Sequence, residues 1–313
     1  MYKITAVFLF LFALRSYARP SEALLIVEQA GARLSLVDPR NNQRFGSVAL
    51  APNPHEVEVA PDGLHAFVTE FGIQDYDETI GTPGQTIQMV SLSTMTMVRT
   101  FNTAPDAAPH GVKLRPHHPH ELYVNVERGH ALLVFDTRTG LQLRRIPVDS
   151  ATHNFLFAPD GESLWLLAGK NGVIQIEALT GKEIGRLHLS TPARGLAFSR
   201  DKSQLLVAGK NELSLFAAST GKLIRNYQNL GVGQILYATL TPDGQRIIAP
   251  AVWDSQVLIL NAHTGAVEKR IITGLDPVAV VVGQDGKMAY VSNARSKHVS
   301  CIDLFKFTHQ KCV

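Results

Sequence analysis

Val57-Glu58-Val59-Ala60-Pro61-Asp62-Gly63-Leu64-His65-Ala66-Phe67-Val68 is two short alternating runs joined by a Pro-Asp-Gly turn. Alternation with period two marks a strand that buries one face. Asp-Gly supplies a side-chain acceptor and a residue that tolerates positive φ, the two requirements of a tight reversal. The stretch therefore reads as a β-hairpin. Pro159-Asp160-Gly161, preceded by Phe155-Leu156-Phe157, and Pro242-Asp243-Gly244 repeat the turn. Arg200-Asp201 and Gln284-Asp285-Gly286 are degenerate copies, the latter followed by Ala289-Tyr290-Val291, and Pro116-His117 marks the same place without Asp-Gly.

Further along each repeat comes a third run and a second turn, as in Val134-Phe135-Asp136-Thr137-Arg138-Thr139-Gly140. Equivalent Thr-Gly pairs end at Gly181, Gly221 and Gly265, 40 to 44 residues apart. A fourth run such as Leu143-Arg144-Arg145-Ile146 completes the unit. Four short strands at this period, with no helical pattern between them, are the signature of propeller blades. First-turn anchors at 62, 117, 160, 201, 243 and 285 give six repeats. Residues 24–48, with Leu36-Val37-Asp38-Pro39 as third strand and turn, supply the last three strands of another. The expected fold is all-β, a seven-bladed β-propeller of four-stranded antiparallel blades. The first blade has no evident innermost strand, and six blades with an extra hairpin is the alternative.

Tyr290-Val291-Ser292-Asn293, the Asp-Gly turns and the following Val-Ser-Cys-Ile-Asp run resemble the YVTN-repeat seven-bladed β-propeller family. The resemblance spans the chain from residue 19 onward. It implies the fold and leaves function open, because related propellers include binding proteins, surface-layer domains, lactonases and lyases.

Lys3, the apolar run 4–14, and small residues at Ser16 and Ala18 predict a cleaved export signal over 1–18 and one propeller domain over 19–313, secreted or periplasmic. An uncleaved anchor is the alternative. The run is too short to span a bilayer as a helix, and no later segment is as apolar. Losing Lys3 and Arg15 takes the formal charge from +3 to about +1. A near-balanced chain with scattered aromatic and basic residues excludes a nucleic-acid surface. Cys301 and Cys312 are the only cysteines and read as either a disulfide or two free thiols. Phosphate-loop, nucleophile-elbow, dinucleotide and c-type haem motifs are absent.

In a propeller, the start of the innermost strand and the end of the second converge on one mouth of the central channel. Seven residues before the anchors stand His55, His110, His153, Arg194, Leu236 and Val278. Eight residues after them stand Glu70, Asn125, Ala168, Gly209, Ala251 and Asn293, with Glu28 at the same place in the first blade. Imidazoles with carboxylates suit a divalent transition metal, and the expected ligands are His55, His110, His153 and Glu70. Glu28, His55, Glu70, Asn125 and Asn293 are the expected small-ligand contacts. The same histidines could instead move protons, making His110, His153 and Arg194 catalytic in a lactonase-like or lyase-like enzyme. A third reading is a protein-interaction scaffold that uses its blade rims. A monomer is expected.

The second repeat carries about 13 extra residues directly after Glu70, including Asp75, Tyr76, Asp77 and Glu78. They are placed to cover the mouth, and their acidic spacing lacks the EF-hand pattern. Pro116-His117-His118-Pro119-His120 falls on the opposite rim and reads as a solvated turn.

Overall fold

The computed structural model describes residues 9–12, 22–74, 80–148 and 152–313. Seven four-stranded antiparallel sheets follow one another along the chain, each a meander of consecutive strands, and the only helices among the described residues are two 3-10 turns. This is a seven-bladed β-propeller. The chain divides into two compact units: Phe10–Ile184, and Gly185–Val313 with Leu9.

The turn chemistry sets the repeat. Asp62, Asp160, Asp243 and Asp285 each accept, through Oδ1, the backbone N–H two residues on. The glycines that follow them lie at φ between +68° and +74°. Where the motif degenerates, Lys202 and His117 take the positive φ instead, at +58° and +62°. The histidine-rich segment is thus a turn followed by an exposed strand start, as expected. The outermost strands are sheet edges, and each carries a basic side chain that discourages pairing with another chain: Arg44, Arg99, Arg144, Arg186, Arg225, Arg270 and Lys311.

The first sheet acquires the innermost strand that the sequence did not reveal. Leu9–Phe12, from the apolar N-terminal run, pairs beside Ala23–Glu28. Ser16 and Ala18, the expected cleavage region, lie outside the described residues. In the last sheet Cys301, in strand His298–Asp303, forms a disulfide with Cys312, one residue beyond the neighbouring strand Thr308–Lys311, with Cα atoms 5.8 Å apart. No helix among the described residues is long and apolar enough to cross a membrane.

Within the Phe10–Ile184 unit, adjacent sheets bury continuous apolar layers. Phe67, Phe101, Val112, Leu122 and Phe135 share one, while Tyr123, Val134, Phe155, Phe157 and Leu166 share the next. Arg115, 4% exposed, ties the third sheet to the fourth through the Gly161 carbonyl and the Glu162 carboxylate. These layers fix the innermost strands Pro54–Val59, Pro109–Arg115 and Phe155–Phe157 side by side.

Candidate functional site

The first two of these strands and the segment leading into the third bring His55, His110 and His153 together. Pro54 and Pro109 stand first in their strands, where a missing N–H is tolerated, and each is followed by its histidine. The His55 and His110 rings lie 4.3 Å apart between centroids, and those of His110 and His153 4.1 Å apart. Phe71 closes over the first two, at 5.0 and 5.1 Å. His110 is 1% exposed, whereas the His153 side chain is 47% exposed, so the cluster opens at His153.

Burial chiefly, and then the positive charge of His153, pushes the His55 pKa down to about 3. Burial also holds His110 well below the usual histidine range, reinforced by His153, His55 and Lys113. Both rings are therefore neutral near pH 7, the state in which an imidazole offers a lone pair to a metal without first losing a proton.

The carboxylates beside these rings, Glu127 and Glu56, stand at neither of the two repeat positions expected to converge on the mouth. Glu127 Oε1 lies 2.8 Å from His153 Nδ1. His110, Glu127 and His153 can each present one donor atom, all within 4.8 Å of one another. Two imidazole nitrogens and one carboxylate oxygen suit zinc or another divalent first-row ion and leave coordination positions open. Glu56, 3% exposed, stands behind His110 with Oε1 at 3.5 Å from Nδ1. Asn154 Nδ2 donates to the same oxygen, and Lys113 Nζ is 3.8 Å from the other.

Backbone irregularity explains this grouping. Register shifts interrupt Pro54–Val59 between Pro54 and Val57, and Pro109–Arg115 between Pro109 and Val112, so two residues face one on the partner strand. Such a bulge breaks the alternation of sides and re-aims side chains. At each bulge a buried side chain accepts the freed N–H: Thr69 Oγ1 that of Glu56, and Asn125 Oδ1 that of Gly111. In the last sheet Ser292 Oγ does the same for Ala279. Asn125 also donates to the Thr152 carbonyl. Its amide thus holds the frame of the site at both ends, rather than reaching toward a ligand.

A Cβ at Gly111 would lie 2.4 Å from Asn154 Oδ1 and 2.7 Å from Asn125 Oδ1. Gly111→Ala is expected to displace one of these amides and destabilise the protein by about 3 kcal/mol, combining overpacking with an unsatisfied buried group. Urea unfolding measures this. A loss below about 0.5 kcal/mol, the usual range for surface substitutions, would mean the amides do not depend on that space.

Glu70, expected as a metal ligand, instead accepts from Thr86 Oγ1 on the adjacent strand of its own sheet. Glu28 is held within the first sheet by Ser35, Arg33 and Arg44. Arg194 and Asn293 belong to the Gly185–Val313 unit. Arg194 donates its backbone N–H to the Ala208 carbonyl. Asn293, fully buried, donates to the His298 carbonyl and to Ser300 Oγ.

The inserted segment is anchored at its base. Gly84 N–H donates to the Phe71 carbonyl, Gln74 N–H to that of Ile80, and Gln29 Nε2 to that of Ile73. Gly72, at φ +84°, lets the two limbs meet, since a Cβ there would stand 2.0 Å from the Thr82 carbonyl oxygen. Asp75, Tyr76, Asp77 and Glu78 lie outside the described residues.

A signal for the missed residues was present one column over. Six residues before the anchors stand Glu56, Gly111 and Asn154, and Glu127 lies two beyond Asn125.

No family model matches the chain, and no curated protein sequence matches it. Among solved structures the chain is similar to "Kuenenia stuttgartiensis Hydrazine Synthase", with a TM-score of 0.75 and 19% identity over 90% of this chain and 92% of that one. At that identity the likeness shows the fold alone.

Proposed function

We propose that this chain is an exported propeller of the YVTN-repeat kind that holds one divalent transition-metal ion through His110, His153 and Glu127 and offers its open coordination positions to a small ligand. The observation that carries the reading is the convergence of those three donors within 4.8 Å, with His110 buried and neutral. Two imidazole nitrogens, which carry no charge as ligands, and a single carboxylate leave a divalent ion with net positive charge, which favours anionic or oxygen-donor ligands. The apolar cover of Phe71 and the exposure of His153 direct a ligand to approach from the His153 side. Export rests on the N-terminal residues Lys3, 4–14, Ser16 and Ala18, and cleavage after them would take Leu9–Phe12 out of the first sheet and leave it three strands.

Elemental analysis of the purified protein after dialysis, followed by titration with Zn²⁺ and Co²⁺, tests the reading. One ion per chain is expected, with a cobalt visible spectrum indicating mixed nitrogen and oxygen donors. A protein that neither retains nor takes up any of these ions would rule out the metal centre.

A further inference from the structure

Glu56 lies outside the three-donor group, yet four features converge on it. It is almost completely buried on an innermost strand. Its Oε1 is the carboxylate oxygen facing His110 Nδ1, at 3.5 Å, and that nitrogen is buried with no hydrogen-bond partner. Asn154 Nδ2 fixes the same oxygen, and Lys113 Nζ stands by Oε2. Thr69, also buried, links the two strands through one hydroxyl, accepting from the Glu56 backbone N–H and donating to the His110 carbonyl. The carboxylate and the imidazole are therefore set opposite each other by the backbone.

A neutral imidazole carries one N–H and one bare nitrogen. Were Nδ1 bare, two acceptors would face each other in a desolvated site, an arrangement with no compensating proton. A proton on Nδ1 points at Glu56 and leaves Nε2 with its lone pair available. Histidines that bind metals commonly donate their other N–H to a carboxylate, which fixes both tautomer and ring orientation.

We infer that Glu56 is a positioning residue: it accepts the Nδ1 proton of His110 and so presents Nε2 as the metal-binding nitrogen. The consequence for ion capture rests on the proposed metal centre, while the tautomer itself does not. At 3.5 Å the contact is longer than a formed hydrogen bond, and a turn of the ring toward Glu56 would close it. Lys113, 3.5 Å from Glu58 as well, offsets one of the two carboxylate charges that Glu56 and Glu58 bring to their strand.

The test begins with the wild-type chain free of metal. Nitrogen-15 imidazole NMR on histidine-labelled protein, with the His110 signals assigned by their loss in His110→Gln, reads the tautomer directly. A protonated Nδ1 and bare Nε2 are expected. A protonated Nε2 overturns the inference, whatever the ion-binding result. The second arm compares Zn²⁺ affinity by competition with a chromophoric chelator. Glu56→Leu is expected to weaken binding about 10- to 100-fold with the stoichiometry still one. Glu56→Gln should recover most of that loss, because its carbonyl oxygen can stand between Asn154 Nδ2 and His110 Nδ1. Unchanged affinity in Glu56→Leu, or an equal loss in both variants, overturns the role. Should Glu56→Leu fail to fold, the wild-type tautomer decides. A wild type that binds no ion removes the metal centre and leaves the tautomer to be judged separately.

Discussion

Glu127→Gln is expected to cost the protein its ion, while Glu70→Gln leaves binding unchanged. Glu127 is the carboxylate that the loop after His118–Val126 delivers to His153, and its side chain is only 16% exposed. Replacing it with an amide removes the one anionic donor of the group, along with the charge that offsets part of the ion's own. Partners behind a ligand typically change metal affinity 10- to 100-fold, so loss of a direct donor should exceed about a hundredfold. Glu70 accepts from Thr86 within its own sheet and belongs to no metal-competent group among the described residues. Competition titration with a chromophoric chelator on both variants, with unfolding midpoints measured alongside, separates ligand loss from misfolding. The reverse pattern, with Glu70→Gln losing the ion and Glu127→Gln keeping it, would return the site to the set read from the repeat alignment.

That contrast marks where the sequence could and could not be read. The turns were legible because their chemistry is local: Asp62, Asp160, Asp243 and Asp285 make the same hydrogen bond two residues on, and the repeat period follows from them. The histidine column was legible because one position in the repeat leads to one place in each blade. The carboxylates were not, because the alignment assumed that one position per strand faces the site, whereas Glu56 is the next residue along its strand and Glu127 lies in the loop after His118–Val126. The bulges at residues 55–56 and 110–111 break that assumption and bring Glu56 into the same cluster as His110, its neighbour across the strands. The innermost strand of the first sheet escaped notice for another reason. An apolar run such as Leu9–Phe12 reads equally well as export signal or as buried strand, and pairing across a sheet leaves no mark on a four-residue segment.

Acidification is the second large effect, and its sign follows from the buried rings. His55 in the folded protein has a pKa of about 3, against 6.5 for an ordinary histidine. Between those values the unfolded chain binds a proton that the folded chain does not. Stability therefore rises with pH across the window, is fully present above about pH 6.5, and is lost as pH falls toward 3. For His55 alone the loss by pH 4.5 is roughly 2 to 3 kcal/mol, at 1.36 kcal/mol per unit of the titration window crossed. His110, shifted the same way by burial, adds to it. The groups facing these rings act in opposite directions. Lys113 and the neighbouring His55 and His153 oppose a further positive charge on His110, whereas Glu56, 3.5 Å from its Nδ1, favours one. Burial is the largest cause for both rings and sets the outcome. Urea unfolding of the metal-free protein at intervals from pH 7.5 to 4.5 should show this decline, and His55→Gln, which has no proton to gain, should flatten it by His55's share. Identical slopes in wild type and variant would mean that His55 meets enough solvent to titrate normally. The neutral, ion-ready state assigned to the ring cluster would then lose its electrostatic basis.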